Sequence, residues 1–386
     1  MRPAHSSTPD SPFVGVRAFA AEDWPFFFGR ETEASTLAGS LLGSSVTVLY
    51  GSPGSGKSSL IGAALPHRLA AATNNKAILR RWSRWQVDFL TQLKQEVGRA
   101  LATEVGFHSA VARWAERGDG ELFLLFDQFE EYFRYTRDPI GNDFARELAL
   151  IANDPTFDIH VLISLREDSL SLLDRLRVRI PNILDTTMEL RPLDKDSARL
   201  SILGPLEAWR KYGWPGPAAD PDDKFIEKLL RQSDNLALRR AASGAVATKI
   251  AAAKRTIEAP FLQLALQRVW QKDKESRAAK MRTRTLDSVG GVLGIIRQHL
   301  AAAVGALDSE QSLLAARMFR YLVTPSGGKN ATNVVTTRMR ASVTSPRRNR
   351  LRDAAGFGAV MEDRLPCSTI RLGRFMPEFQ PLLAPA

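Results

Sequence analysis

The chain has 386 residues, is 44% hydrophobic and carries a formal charge of +11, so it is long enough for two or three units with cores of their own. That composition excludes a disordered or fibrous protein, and a single cysteine, Cys367, excludes an internal disulfide or a cysteine-built metal cage. Nine Arg against four acids in residues 336–386 supply +5 of the charge, which leaves the first 335 residues only mildly basic and gives little reason to expect nucleic acid as a partner.

Residues 1–11 are polar with two prolines and read as a frayed end. The opening MRPAHSSTPDSPF has no apolar signal region, and no uncharged apolar run of about 18 residues follows, so a soluble, cytoplasmic protein without a membrane partner is expected. A helix with Leu37, Leu41 and Leu42 on its apolar side closes the first segment, and ahead of it stands Phe28-Gly29-Arg30-Glu31. In P-loop ATPases that use adenine such a segment closes over the base; the plainer reading is an aromatic anchor before a helix with Glu31 and Glu33 in its first turn.

The β-branched run SVTVLY (45–50) then enters GSPGSGKSS (51–59). Gly51, Gly54 and Gly56 let the backbone turn so that successive N–H groups of the loop Ser52-Pro53-Gly54-Ser55-Gly56, Pro53 having none, can point at one anion, at the positive end of the helix that follows. Lys57 is placed to reach β- and γ-phosphates, Ser58 offers a hydroxyl to Mg²⁺, and Ser59 continues the loop into the helix.

AILRRW (77–82) reads as a second strand and VDFLTQLKQEVGRALA (87–102) as an amphipathic helix with Phe89, Leu90, Leu93 and Val97 on one side. Leu122 to Phe126 is a continuous apolar run of the kind a central strand shows, and it stops at Asp127, where open α/β sheets bind ligands. Asp127 is the candidate Mg²⁺ partner opposite Ser58, and Glu130 and Glu131 are both candidates to orient an attacking water. Val161 to Leu165 is a further strand with Arg166 at its end, either a sensor of the γ-phosphate or a surface arginine paired with Glu167 or Asp168. TTMELRPL (186–193) supplies a fifth strand. A strand inserted between the phosphate strand and the Asp strand defines the additional-strand class of P-loop NTPases.

From residue 194 helical patterns take over. Asp220 reads as an N-cap with Pro221 at the first helical position, before Phe225, Ile226, Leu229 and Leu230. Leu262, Leu266 and Trp270 form a stripe in 258–270, and DSVGGVLGIIRQHL and DSEQSLLAARMFRYLV complete a helical lid. Past Thr324 the periodicity fades into PSGGKN and an Arg-, Ser- and Pro-rich tail. No motif for a hydrolytic triad or zinc site occurs, nor any internal repeat.

Taken together, FFFGRETE, GSPGSGKSS, FLLFDQFEEYF, VLISLREDSL, IEAPFLQLALQRVW, GGVLGIIRQHL and MFRYLVTPSGGK resemble the STAND NTPases, and among them the novel STAND NTPase group, over residues 12–330. The resemblance implies an ATP- and Mg²⁺-dependent switch that self-associates with ATP bound. It implies Arg30 near the base, Lys57 and Ser58 on phosphates and Mg²⁺, Asp127 supporting the metal, Glu131 rather than Glu130 orienting water, and Arg166 sensing the γ-phosphate. Pro260 matches a lid proline that packs by the adenine, with Glu258 and Ala259 standing where relatives have Gly and Leu. The expected architecture is a P-loop parallel sheet over 12–193, a helical lid over 194–325, and a weakly folded or truncated winged-helix-like tail over 326–386, with neither effector nor sensor repeats in view. Two rival expectations are a DNA-associated ATPase that uses the basic tail and a nucleotide-binding remnant that does not signal.

Overall fold

The computed structural model describes residues 9–73, 78–85, 108, 109, 112, 121–136, 138–154, 159–242 and 257–322. The expected helix over 87–102 and the tail over 326–386 lie outside these residues. The chain divides into two units, the first built on Ala18–Pro192 and the second on Ser7–Arg17 with Leu193–Ala386.

The first unit is a parallel sheet of β1 (Val46–Gly51), β2 (Ile78–Trp82), β3 (Leu122–Phe126), β4 (Ile159–Arg166) and β5 (Thr187–Glu189), in the order β2-β3-β4-β1-β5. The Arg166 strand therefore lies between the phosphate strand and the Asp strand, as expected for the additional-strand class. The central strands are mainly apolar because both faces are covered, β3 at every position and β1 and β4 apart from Thr47, His160, Ser164 and Arg166. Alternate side chains serve the two faces. Val46, Val48, Leu122, Leu124, Phe126, Val161 and Ile163 share one core with Phe129, Tyr132, Phe144 and Leu148. Leu49, Phe123, Leu125 and Leu162 face the other way, into a core with Leu37, Leu41, Leu60 and Leu65.

These cores hold the helices. On one side are α1 (Glu31–Leu42), then α2 (Lys57–Ser59), a π-helical turn Leu60–Ala64 and α3 (Leu65–Ala72), which run on without interruption from the phosphate loop. On the other are α4 (Glu130–Tyr135) and α5 (Asp143–Asn153), the latter capped by Asn142, whose side-chain oxygen accepts from Ala145 N at 2.9 Å. Trp85 belongs to the core with Phe129 and Phe144, its ring 5.0 Å from Phe129 and 5.8 Å from Phe144. Each such pair adds roughly 0.5–1.5 kcal/mol beyond its burial. The cluster clamps the junction of β3 and α4, where Asp127 and Glu130 stand.

The fifth strand is shorter than its sequence pattern, since only Thr187–Glu189 pairs with β1. It is the sheet edge: Thr187 and Glu189 are exposed, and Pro192 has no N–H to extend the ladder.

The second unit is helical, with α6 (Lys195–Lys211), α7 (Asp223–Ala242), α8 (Ala259–Glu275), α9 (Thr283–Ser288), α10 (Gly291–Gly305) and α11 (Ser309–Leu322). Helix α7 starts later than the Asp220-Pro221 signal indicates. Asp220 instead pairs with Arg210 at 3.0 Å, and the Asp222 carbonyl accepts from Phe225 N and Ile226 N. The GGVLG run does not continue one helix from Asp287. Gly290 and Gly291 take positive φ values of 77° and 67°, which separate α9 from α10.

Leu262, Leu266 and Trp270 of α8 are fully buried, as their spacing indicates. Asp273, on the same helix and also fully buried, accepts from Arg282 N, Nε and Nη2 and from Thr285 Oγ1 at 2.5–2.9 Å, and so ties α8 to α9. Residues 9–17 belong to this unit: Trp270 Nε1 and Lys274 Nζ both donate to the Asp10 carbonyl at 3.1 Å.

Candidate functional site

The loop after β1 has the geometry its glycines imply. Gly54 and Gly56 have φ values of 80° and 102°. Gly56 leads into α2, and a Cβ there would meet nothing within 4 Å, so conformation alone selects glycine at this position. Gly51 is selected by space instead, because a Cβ would lie 2.3 Å from the Leu190 carbonyl oxygen. Lys57 folds back over the loop, and its Nζ donates to the carbonyls of Gly51 at 2.8 Å and Ser52 at 3.2 Å. The Ser55 hydroxyl is buried and has no hydrogen-bond partner among the described residues. The Ser59 hydroxyl accepts from Phe19 N at 3.2 Å.

Arg30 is buried under this loop. Its Nη2 donates to the carbonyls of Ser55 at 3.0 Å and Arg191 at 2.6 Å, and its Nη1 meets Glu33 at 2.5 Å. The arginine thus latches the phosphate loop to the chain just past β5. Gly29, with φ 82°, donates its N–H to the Glu31 carboxylate, and Phe28 beside it is half-buried.

Strand register brings the acids to the same end of the sheet. Gly51 pairs with Arg166 across β1 and β4, and Phe126 pairs with Ile163 across β3 and β4. Asp127 is 1% exposed. Its Oδ1 accepts from Ser164 Oγ at 3.1 Å and Gln128 N at 3.0 Å, its Oδ2 from Arg81 Nη2 at 2.6 Å, and its main-chain oxygen from Trp85 Nε1 at 2.7 Å. Gln128 has a positive φ of 55°, the turn that sends the chain from Asp127 into α4.

Glu130 and Glu131 occupy different surroundings although they are neighbours. Glu130 is buried, and its Oε2 accepts from Arg166 N at 3.3 Å. Burial pushes its pKa from 4.5 up to about 7; its own backbone N–H and Lys57 oppose the shift, while Glu131 and Asp127 add to it. Glu131 is also raised by burial, but its carboxylate is held by Arg134 Nη1 at 2.5 Å, on the outer side of α4. Arg166 pairs with Asp168, and its Nε has no partner among the described residues. Pro260 is the second residue of α8, in the helical unit.

The residues that α/β packing groups at the ends of β1, β3 and β4 are therefore the phosphate loop, Asp127, Glu130 and Arg166. Ser164, Arg81 and Trp85 complete the surroundings of Asp127 and carried no sequence signal: a serine inside an apolar strand, an arginine near the end of another, and a tryptophan in a loop have no motif. A phosphate group and Mg²⁺ fit what is present: a glycine loop with two positive φ values at the start of a helix, a lysine resting on carbonyls that phosphate oxygens can replace, the Ser58 hydroxyl, and a buried carboxylate. No group of three or more His, Cys, Asp or Glu side chains able to cage a metal occurs among the described residues, so the ion would need the hydroxyl, the carboxylate and phosphate oxygens together. No helix among them is long and apolar enough to cross a membrane.

The model of the family Novel STAND NTPase 1 matches residues 12–365. No curated protein matches the chain. Among solved structures it is similar to the Aeropyrum pernix ORC1 protein in complex with DNA, at 16% identity and a TM-score of 0.49, covering 88% of this chain and 86% of that one. It is also similar to the Aeropyrum pernix ORC2 protein in its ADPNP-ADP complexes, at 14% identity and a TM-score of 0.48 over 86% and 85%. The Walker-type ATPase PABY2304 of Pyrococcus abyssi follows at 15% identity and 0.43, over 87% and 89%. At these identities and scores none of the three speaks to what this chain does.

Proposed function

The chain belongs to the Novel STAND NTPase 1 family, and from that premise we propose that it binds MgATP, hydrolyses it slowly, and uses the difference between the ATP and ADP states as a conformational switch that controls self-association in signalling or defence. The observation that carries this reading is the convergence of Lys57, Asp127, Glu130 and Arg166 at one end of the sheet, set by the pairing of Gly51 with Arg166.

The loop N–H groups and Lys57 hold the phosphates, with Lys57 exchanging two backbone carbonyls for phosphate oxygens. Ser58 and Asp127 hold Mg²⁺, which neutralises charge on the phosphates when it is bound. Phe28, Gly29 and Arg30 lie at the adenine side, Arg30 acting through the loop it latches. Arg166 exchanges Asp168 for the γ-phosphate, so its position reports whether that phosphate is present. Slow turnover follows from the role, because a switch needs a long-lived state with contacts that differ between ATP and ADP.

For the water-orienting acid the surroundings favour Glu130 over Glu131. Glu130 feels the charges of Lys57 and Asp127, whereas Glu131 is committed to Arg134. The test is the nucleotide retained by purified protein, identified by chromatography after denaturation, together with single-turnover hydrolysis. Wild type should retain nucleotide near one per chain and Lys57→Ala none; Glu130→Gln should bind and not hydrolyse, while Glu131→Gln keeps most of its rate. Full turnover in Glu130→Gln returns the role to Glu131, and retention by Lys57→Ala refutes the site.

A further inference from the structure

We propose that Arg81 is a resident counter-ion that occupies the cation position of this site, so that a divalent cation enters only together with the nucleotide that displaces the arginine. The proposal rests on the MgATP reading above.

The geometry that carries it is a guanidinium placed between two elements. Arg81 Nη2 lies 2.6 Å from Asp127 Oδ2, the one carboxylate oxygen not engaged by Ser164 and Gln128. On its other side, Arg81 Nη1 lies 2.8 Å from where a Cβ on residue 62 would be, and that residue is glycine. Gly62 follows Ser58 by four residues along the helical run from the loop, which puts it about one turn away on the same side. The guanidinium therefore lies against Asp127 and against the helix that carries Ser58, the two groups between which a divalent ion is expected.

Physical chemistry makes this an exchange. Oδ2 of this buried carboxylate is met by a close, hydrogen-bonded cation, the Arg81 guanidinium. Oδ2 takes one cation at a time, either the guanidinium or a metal ion. The Arg81 side chain is 34% exposed, against 2% for its partner, so the arginine is the member that leaves towards water without opening the core. Being part of the chain, Arg81 is at a high effective concentration and outcompetes free Mg²⁺. Nucleotide phosphates change the balance. They bring further oxygens for the metal while the arginine leaves to water, so metal and nucleotide bind together and Mg²⁺ alone leaves the site unchanged.

The test uses the full chain, with MgCl2 and ATP as probes, at pH 8. Melting is followed without nucleotide in EDTA and in millimolar MgCl2, and ATP binding is titrated against Mg²⁺. Wild type should show no Mg²⁺ shift without nucleotide. Arg81→Met should melt lower in EDTA and be raised by MgCl2 alone, and its half-saturating Mg²⁺ for ATP should fall about tenfold, the size expected from removing one close like charge. Arg81→Lys, which keeps a cation without the planar fork, should fall between the two and serves if Arg81→Met does not fold. The same Mg²⁺ dependence in wild type and variants overturns the proposal. So does a loss of ATP affinity in EDTA for Arg81→Met, which would make Arg81 a phosphate ligand. A wild type that binds no ATP refutes the MgATP reading instead, and the MgCl2 shift of Arg81→Met still decides this one.

Discussion

Glu130 makes the nucleotide-free protein less stable than it would be with a neutral side chain, and that cost can be sized from the structure. Its pKa rises from 4.5 to about 7 on folding, mainly because burial removes water from the carboxylate. A folded protein that keeps a proton the unfolded chain releases is at full stability below the unfolded pKa and loses stability as pH rises through the folded one. The window is therefore pH 4.5 to about 7, and stability is level above it. At about 1.36 kcal/mol per unit the loss comes to roughly 3 kcal/mol. Gln at this position keeps an oxygen for Arg166 N and has no charge to desolvate. Urea unfolding of wild type and Glu130→Gln without nucleotide should show little difference at pH 5 and a variant more stable by up to about 3 kcal/mol at pH 8. Glu131, also raised by burial, remains in both proteins, and the gap includes the repulsion between the two carboxylates that the variant removes. A gap of equal size at both pH values, or a variant less stable at pH 8, would refute the claim that Glu130 is desolvated. The stability gain would coincide with the expected loss of hydrolysis, the pattern of a group kept in an unfavourable place for its chemistry.

Two further outcomes follow from the loop. Arg30→Met removes charge-assisted bonds to the Ser55 and Arg191 carbonyls and should cost about 2–4 kcal/mol in urea unfolding and weaken ATP binding, with unchanged stability counting against the latch. Gly56→Ala, which meets only a backbone penalty, should cost about 1–2 kcal/mol, and Gly51→Ala, whose Cβ would meet the Leu190 oxygen, should lower the melting temperature more; the reverse order would show that space does not select Gly51.

The sequence by itself determined the parallel sheet, the place of the Arg166 strand between the phosphate and Asp strands, and the loop. Buried central strands need predominantly apolar runs; Leu122–Phe126 shows one without a break and Val161–Leu165 one broken only by Ser164. A phosphate loop needs glycine at particular steps, and the pattern at Gly51, Gly54 and Gly56 is local enough to be read without a fold. What tertiary structure decided are relations between residues distant in sequence. Asp220-Pro221 resembles a helix start, but the pairing of Asp220 with Arg210 moves the start of α7 to Asp223. Glu130 and Glu131 are equivalent in a string of letters and separate only when α4 turns one towards Lys57 and Asp127 and the other towards Arg134. Arg81 reaches Asp127 because β2 and β3 are neighbours in register, although the two residues are 46 positions apart. Periodicity records which side of an element is apolar; it does not record which polar group on one strand will stand beside a carboxylate on the next, because that depends on the register of chains that meet only after folding.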